Sequence, residues 1–196
     1  MDAHGGVWRI VAVSVLVAGM WGNSVSVGSV YIHGGEFNLS IPDKGWMADA
    51  VIDIRDHYTI YDLDVGIDVT HSSIFDLQVF LQSPAGTKVC LNMYDAFWGF
   101  FKGANYTQTI FDDEAQISIE ESEAPFTGRF RPLMPYKLSQ FDGQDSYGCW
   151  RLQIYDGFYA DSGMLEGFNL TVQNPEPATA ILLALGVWLM FLQNRR

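Results

Sequence analysis

Polar and apolar residues alternate through most of the middle of this chain. Leu63, Val65, Ile67 and Val69 interleave with Asp62, Asp64, Gly66, Asp68 and Thr70. The same period of two recurs at Leu77, Val79 and Leu81, at Val89, Leu91 and Met93, and at Ile117 and Ile119. It returns at Trp150, Leu152 and Ile154, and again at Phe168, Leu170 and Val172. A strand sends successive side chains to opposite faces, so this spacing predicts half-buried strands. Turn-forming residues separate them, in Ser83-Pro84-Ala85-Gly86 and in the stretches 141–148 and 156–163. Between the termini there is no long amphipathic helical pattern and no strand–helix–strand rhythm. The predicted class is all-β, an antiparallel jelly-roll β-sandwich.

The two ends depart from this pattern. Arg9 precedes the apolar run 10–20, and small residues follow it, the layout of a secretory signal, read as a helix over 1–26. Residues 27–40 read as a lead-in and 41–173 as the domain. At the other end stand Pro175, Glu176 and Pro177, then an uncharged run over 178–192, then Arg195 and Arg196. As a helix, that run rises about 1.5 Å per residue and falls short of a hydrocarbon core of about 30 Å. The arginines place its end on the cytoplasmic side, with the domain outside. The prolines keep the stretch before it extended.

Charge narrows the partners. The formal net charge is −12, and residues 27–174 alone hold 8 Lys and Arg against 21 Asp and Glu. Such a surface repels phosphate backbones, which excludes nucleic acid as a partner class. It suits divalent cations, because carboxylates are hard oxygen ligands. Asp112, Asp113 and Glu114 are consecutive. On a strand they would point to opposite faces; on a loop they can converge on Ca²⁺. Asp142, Asp145, Asp156 and Asp161 lie in glycine-containing turns, where aspartate also caps backbone amides. Two readings stand: a solvated face with turn caps, or a structural Ca²⁺ site led by Asp112 and Asp113. Cys90 and Cys149 fit an oxidising compartment, and both a single disulfide and two free thiols are compatible with their positions. The aromatic stretch 94–106 reads as a loop folded over one end of the sandwich with most rings buried; exposed, it would be an adhesive or sugar-stacking patch.

Three ordered blocks carry a resemblance. "THSSIFDLQVFLQSPAGTKVCL", residues 70–91, holds His71, Asp76-Leu77, Leu81, Ser83-Pro84, Gly86-Thr87 and Leu91. Residues 109–132 hold Phe111-Asp112-Asp113-Glu114-Ala115 and Ala124-Pro125-Phe126-Thr127-Gly128. Residues 138–172 hold Gly148, Trp150, Leu152, Asp156, Asp161, Gly163 and Leu165. Together they resemble the P domain, or Homo B domain, that follows the catalytic domain in furin, kexin and bacterial subtilisin-like proteases. The departures are Phe75, where the family often has Gly, and the insertion at 94–106. The resemblance implies a jelly-roll sandwich, with His71, Asp76 and Trp150 in structural roles and His71 making an inter-strand hydrogen bond. The last 22 or so residues resemble the PEP-CTERM sorting signal of bacterial exosortase substrates. That likeness implies a transient hold in the inner membrane until an exosortase-type transpeptidase cuts near Pro175-Glu176-Pro177.

Catalysis of its own is not expected. A Ser–His–Asp site needs a nucleophile, a base, an orienting acid and an oxyanion hole. The histidines are His4, His33, His57 and His71, and none comes with a GxSxG elbow or a subtilisin-type nucleophile block. Among the relatives the triad lies in a separate domain, which the present sequence does not include. Two function classes follow. One is a non-catalytic exported surface or matrix module, sorted by the tail, whose sandwich binds protein or exopolysaccharide. The other is an accessory domain that stabilises or targets a subtilisin-like protease.

Overall fold

The computed structural model describes the backbone of residues 8–14, 28–93 and 103–175. The strands form two sheets. In the six-stranded sheet the order is β1 (Trp8–Ser14), β2 (Gly28–Ile41), β11 (Gly163–Pro175), β5 (Asp62–His71), β8 (Tyr106–Phe111) and β9 (Phe126–Phe130). The other sheet runs β3 (Gly45–Trp46), β10 (Gly148–Asp156), β6 (Leu77–Gln82) and β7 (Lys88–Asn92), with β4 (Ala50–Ile54) also pairing β10. The pairings are antiparallel except β8 with β9, which run parallel.

The alternation in the sequence becomes the core. On β5, Leu63, Val65, Ile67 and Val69 are buried, and on β11 Phe168, Leu170 and Val172 are buried beside them. Facing them in the other sheet are Leu77, Val79 and Leu81 of β6 with Trp150, Leu152 and Ile154 of β10. Each such side chain contributes about 1.5–3 kcal/mol by leaving water. The Trp150 ring is completely buried; it meets Phe141 edge-on at 5.2 Å, and its indole N–H donates to the Ser146 carbonyl at 2.8 Å. That bond removes the cost of burying the one polar atom of the ring.

Several expectations change. Of the stretch 27–40, read as a lead-in, residues 28–40 belong to the long strand β2, which is registered on β11 from Ile41 to Gly28. Its alternation is broken by Gly34 and Gly35, which hid it. Gly34 has to be small: a Cβ there would stand 2.6 Å from the Phe168 carbonyl oxygen and 2.5 Å from the Asn169 Cβ. The signal helix expected over 1–26 falls largely outside the described residues; the part described, the backbone of 8–14, is a strand on the edge of β2. The β-branched residues Ile10, Val11 and Val13 suit that conformation. The remainder of 1–26 and the apolar segment 178–192 lie outside the described residues, as do Glu176, Pro177, Arg195 and Arg196. Ile117 and Ile119, read as strand, lie at a short 3₁₀ turn, Ile119–Glu121, with Ile119 buried and Ile117 about half exposed. Met93 falls just past the end of β7. Among the described residues no helix is long and apolar enough to cross a membrane.

Candidate functional site

Two polar clusters are built into the sandwich. The first surrounds His71, the last residue of β5. Its Nε2 lies 3.1 Å from Asp156 Oδ2 at the end of β10, and both side chains are fully buried. Its Nδ1 lies 2.8 Å from the Ser73 carbonyl oxygen. The His71 amide donates to Asn105 Oδ1 at 2.9 Å. Asp156 uses its other oxygen to accept the Phe158 amide at 2.9 Å, which closes the turn after β10. Gly163 leaves room for the imidazole: a Cβ there would come within 2.5 Å of His71 Cδ2 and 2.3 Å of the Thr70 carbonyl oxygen. Asp76 sits beside this knot, and burial, followed by the charges of Asp156 and Asp161, outweighs a Ser73 hydrogen bond and raises its pKa. The backbone carbonyl of Asp76 accepts the Gly157 amide at 2.8 Å. The knot therefore ties one sheet to the other, and His71 is sealed from solvent.

The second cluster lies around Arg129 on β9. Its Nε donates to Asp112 Oδ2 at 2.7 Å and its Nη2 to Asp64 Oδ2 at 2.6 Å. Burial raises Asp64 to about 6 despite Arg129, with the charges of Asp112 and Asp62 adding to the rise. Asp112 feels burial most, which pushes it up, but the Arg129 hydrogen bond and the Glu114 amide bring its pKa below the usual carboxylate value. Glu114 is raised to about 7, by burial first, then by its hydrogen bond with Asp112 and the charge of Asp62. Next to this cluster is a cavity of about 760 Å³, lined among others by Tyr61, Asp62, Asp113, Glu114, Asp142 and Gln173. Burial raises Asp62 and Asp142 as well.

The residues expected to lead a Ca²⁺ site take separate partners. Asp112 turns to Arg129, and its Oδ1 accepts the Glu114 amide at 2.7 Å. Asp113 uses both oxygens to accept the amides of Leu138 and Ser139, each at 2.9 Å, and so starts the 3₁₀ turn Leu138–Phe141. Among the described residues no three His, Cys, Asp or Glu side chains gather as a metal site. Sequence reasoning missed Arg129 and Asp64 as members of this cluster. One signal was present: in Phe126-Thr127-Gly128-Arg129-Phe130 the phenylalanines alternate with polar positions, which places Arg129 on the outward face. Its partners come from β5 and the end of β8, which no local pattern reveals.

The cysteines are free, Cys90 buried and Cys149 exposed. Register explains why. Gln153 pairs with Phe80, and Phe80 with Cys90, so Cys149 lies two strands across and four residues along from Cys90. At about 4.8 Å per strand and about 3.3 Å per residue this is far beyond the roughly 7 Å limit for a disulfide. Burial pushes the Cys90 thiol up to about 12. His57 is exposed; its Nδ1 lies 2.6 Å from Asp145 Oδ2, and its ring stacks on Tyr147 at 4.3 Å. His33, placed ahead of the domain by the sequence, is a buried residue of β2 opposite Leu170. Of the processing residues only Pro175 is described, as the last residue of β11.

Fold and clusters together define a class: a two-sheet β-sandwich module whose buried histidine and carboxylates brace its ends. Residues 60–172, more than half of the chain, match the family model of the proprotein convertase P-domain, and the chain belongs to that family. Comparison with curated proteins finds none that matches. Among solved structures, the crystal structure of Aeromonas sobria serine protease in complex with a chaperone is similar at 17% identity and a TM-score of 0.45, over 87% of this chain. A second crystal structure of the serine protease of Aeromonas sobria is similar at 17% identity and a TM-score of 0.44, over 86% of this chain. This chain spans 27% of the length of each of those chains.

Proposed function

We propose that this chain is a non-catalytic accessory module acting beside a subtilisin-like serine protease. Membership of the P-domain family over residues 60–172 carries the reading. The geometry agrees with it. A general base has to reach its substrate's proton within about 3 Å. His71 cannot present a nitrogen to substrate, because one faces Asp156 and the other the Ser73 backbone, at 3.1 and 2.8 Å. The test mixes the full chain with a subtilisin-like catalytic domain whose own P domain has been deleted, and follows loss of peptidase activity at 37 °C. The expected outcome is a longer half-life for the mixture and no casein hydrolysis by the chain alone. An unchanged half-life, or hydrolysis that disappears in a folded His71→Ala variant, overturns the reading.

A second reading concerns where the module works. The order signal-like segment, sandwich, Pro175-Glu176-Pro177, apolar run and Arg195-Arg196 supports export, a transient hold in the inner membrane and cutting by an exosortase-type transpeptidase. Pro175 is the last described residue of the final strand, and the prolines of the triplet favour an extended backbone. A protease reads such an extended segment by backbone pairing. Replacing the triplet with three alanines should trap an uncut, membrane-bound form. Maturation to the wild-type mass would refute the sorting role.

A further inference from the structure

We propose that the outward face of the five-stranded sheet binds an uncharged, β-linked pyranose polymer, with Trp46, Tyr155 and Phe80 as its stacking platform. The proposal goes beyond the protease-accessory reading and stands without it.

Register places these rings together. Tyr155 is opposite Trp46 on one side and Gln78 on the other, and Gln153 is opposite Phe80. Trp46 is 54% exposed, an unusual position for the most costly side chain to leave in water. Its ring centroid lies 4.9 Å from that of Tyr155, tilted 51°, and 6.2 Å from that of Phe80, tilted 42°. The three rings form a shallow cradle rather than a flat wall. Lys88 lies over it, its ammonium 4.3 Å from the centre of Phe80 and 5.2 Å from that of Trp46.

The polar groups between the rings are mostly amides. Gln153 donates to Asp49 Oδ1 at 3.2 Å and its Oε1 is buried, so this amide anchors the edge of the platform and leaves ligand hydroxyls to Gln78. Gln78 lies half-buried on the far side of Tyr155. A planar amide offers a donor and an acceptor side by side, which matches two neighbouring hydroxyls.

Charge selects the occupant. The chain carries −12, yet this face holds Lys88, Arg151 and Asp49, the last two 3.5 Å apart. A polyanion is repelled by the molecule as a whole, and a polycation finds little acid here to hold it. A sugar with equatorial hydroxyls has an apolar C–H face for the rings and an edge of hydroxyls for the Gln78 amide, and β-linkage repeats that face along a chain.

The experiment is native affinity electrophoresis of the full chain in neutral detergent, through gels containing hydroxyethylcellulose or alginate. Retardation by hydroxyethylcellulose and not by alginate is expected. Trp46→Ala combined with Tyr155→Ala should weaken it by about tenfold or more, the scale of a lost stacking contact. Thermal unfolding of each variant is measured in parallel. If the double variant does not fold, Trp46→Ala alone, at the most exposed of the three rings, provides the same reading. No retardation by hydroxyethylcellulose, equal retardation by alginate, or variants that migrate as wild type each overturn the proposal. So does a folded Trp46→Ala chain that keeps its retardation but no longer protects a subtilisin-like catalytic domain, since the face would then be a protein-docking surface.

Discussion

Asp156 and Asp64 are both buried carboxylates, and the sandwich holds them in different ways. Asp156 is fully enclosed and partnered on both oxygens, by His71 at 3.1 Å and by the Phe158 amide at 2.9 Å. Asp64 is nearly as enclosed, but only its Oδ2 is partnered, by Arg129 at 2.6 Å, and its Oδ1 has no partner. Asp156 draws on its own turn and on the strand crossing it, so the fold supplies its bonds. Asp64 depends on one long side chain that is itself 48% exposed. Burial without full satisfaction is what lifts Asp64 to about 6. Where a carboxylate is tied on every side it braces the architecture; where it is tied on one, its protonation follows the medium.

The contrast can be broken at its strong end first. Asp156→Ala leaves His71 buried without its partner, and breaking a buried pair this way costs about 3–5 kcal/mol. Urea unfolding checks this, and a loss below about 1 kcal/mol would mean that the knot does not brace the sheets. Arg129→Ala should cost about 1.5–3 kcal/mol at pH 8, the scale of hydrogen bonds to a charged group. The loss should shrink at pH 5, where Asp64, with its folded pKa of about 6, takes up a proton and no longer needs the cation. An equal loss at both values would show that Arg129 acts by packing alone. Gly163→Ala should cost about 1–3 kcal/mol, because its methyl group collides with the Thr70 backbone and the His71 ring. A neutral outcome would show that the knot can relax.

The smallest effect concerns the weak end, read as the melting temperature of the wild-type chain against pH. Asp64 rises from an ordinary value of 3.8 to about 6 and Glu114 from 4.5 to about 7 on folding. Each binds its proton more tightly in the folded state, so its contribution is complete below the ordinary value and is lost as pH climbs to the raised one. Stability from these two groups therefore declines between about pH 4 and pH 7. Asp112 works in the opposite sense: its pKa is lowered, so its contribution is lost on further acidification. Asp64→Asn should flatten the lower part of the decline and Glu114→Gln the upper part. A wild-type profile that rises steadily from pH 4 to pH 7 would contradict both assignments.

The comparison also separates what was legible in the chain from what was not. The inward rows of β5, β6, β10 and β11 follow directly from alternation, since a strand with one buried face has to repeat every second residue. Trp150 and His71 stand out in the sequence through their blocks of resemblance, and both lie in the interior. The strand Gly28–Ile41 was hidden because Gly34, which breaks its alternation, answers to the backbone of β11, a constraint with no local pattern. Asp112, Asp113 and Glu114 looked like one set because they are consecutive. The fold sends Asp112 to Arg129 and Asp113 to the Leu138–Phe141 turn, so neighbours in sequence acquire different work.

What the sequence alone determined is local: which residues alternate, where the chain turns, how much acid it carries, and therefore that it folds as an all-β domain. Tertiary structure decided everything that depends on register. It brought His71 against Asp156 across 85 residues and Arg129 against Asp64 across 65, and it placed Cys90 and Cys149 two strands apart. It also put Trp46 beside Tyr155 on an outward face. The physical reason is that alternation fixes only which side of a strand a residue occupies. Which strand lies next to it, and at what offset, is settled when the whole core closes.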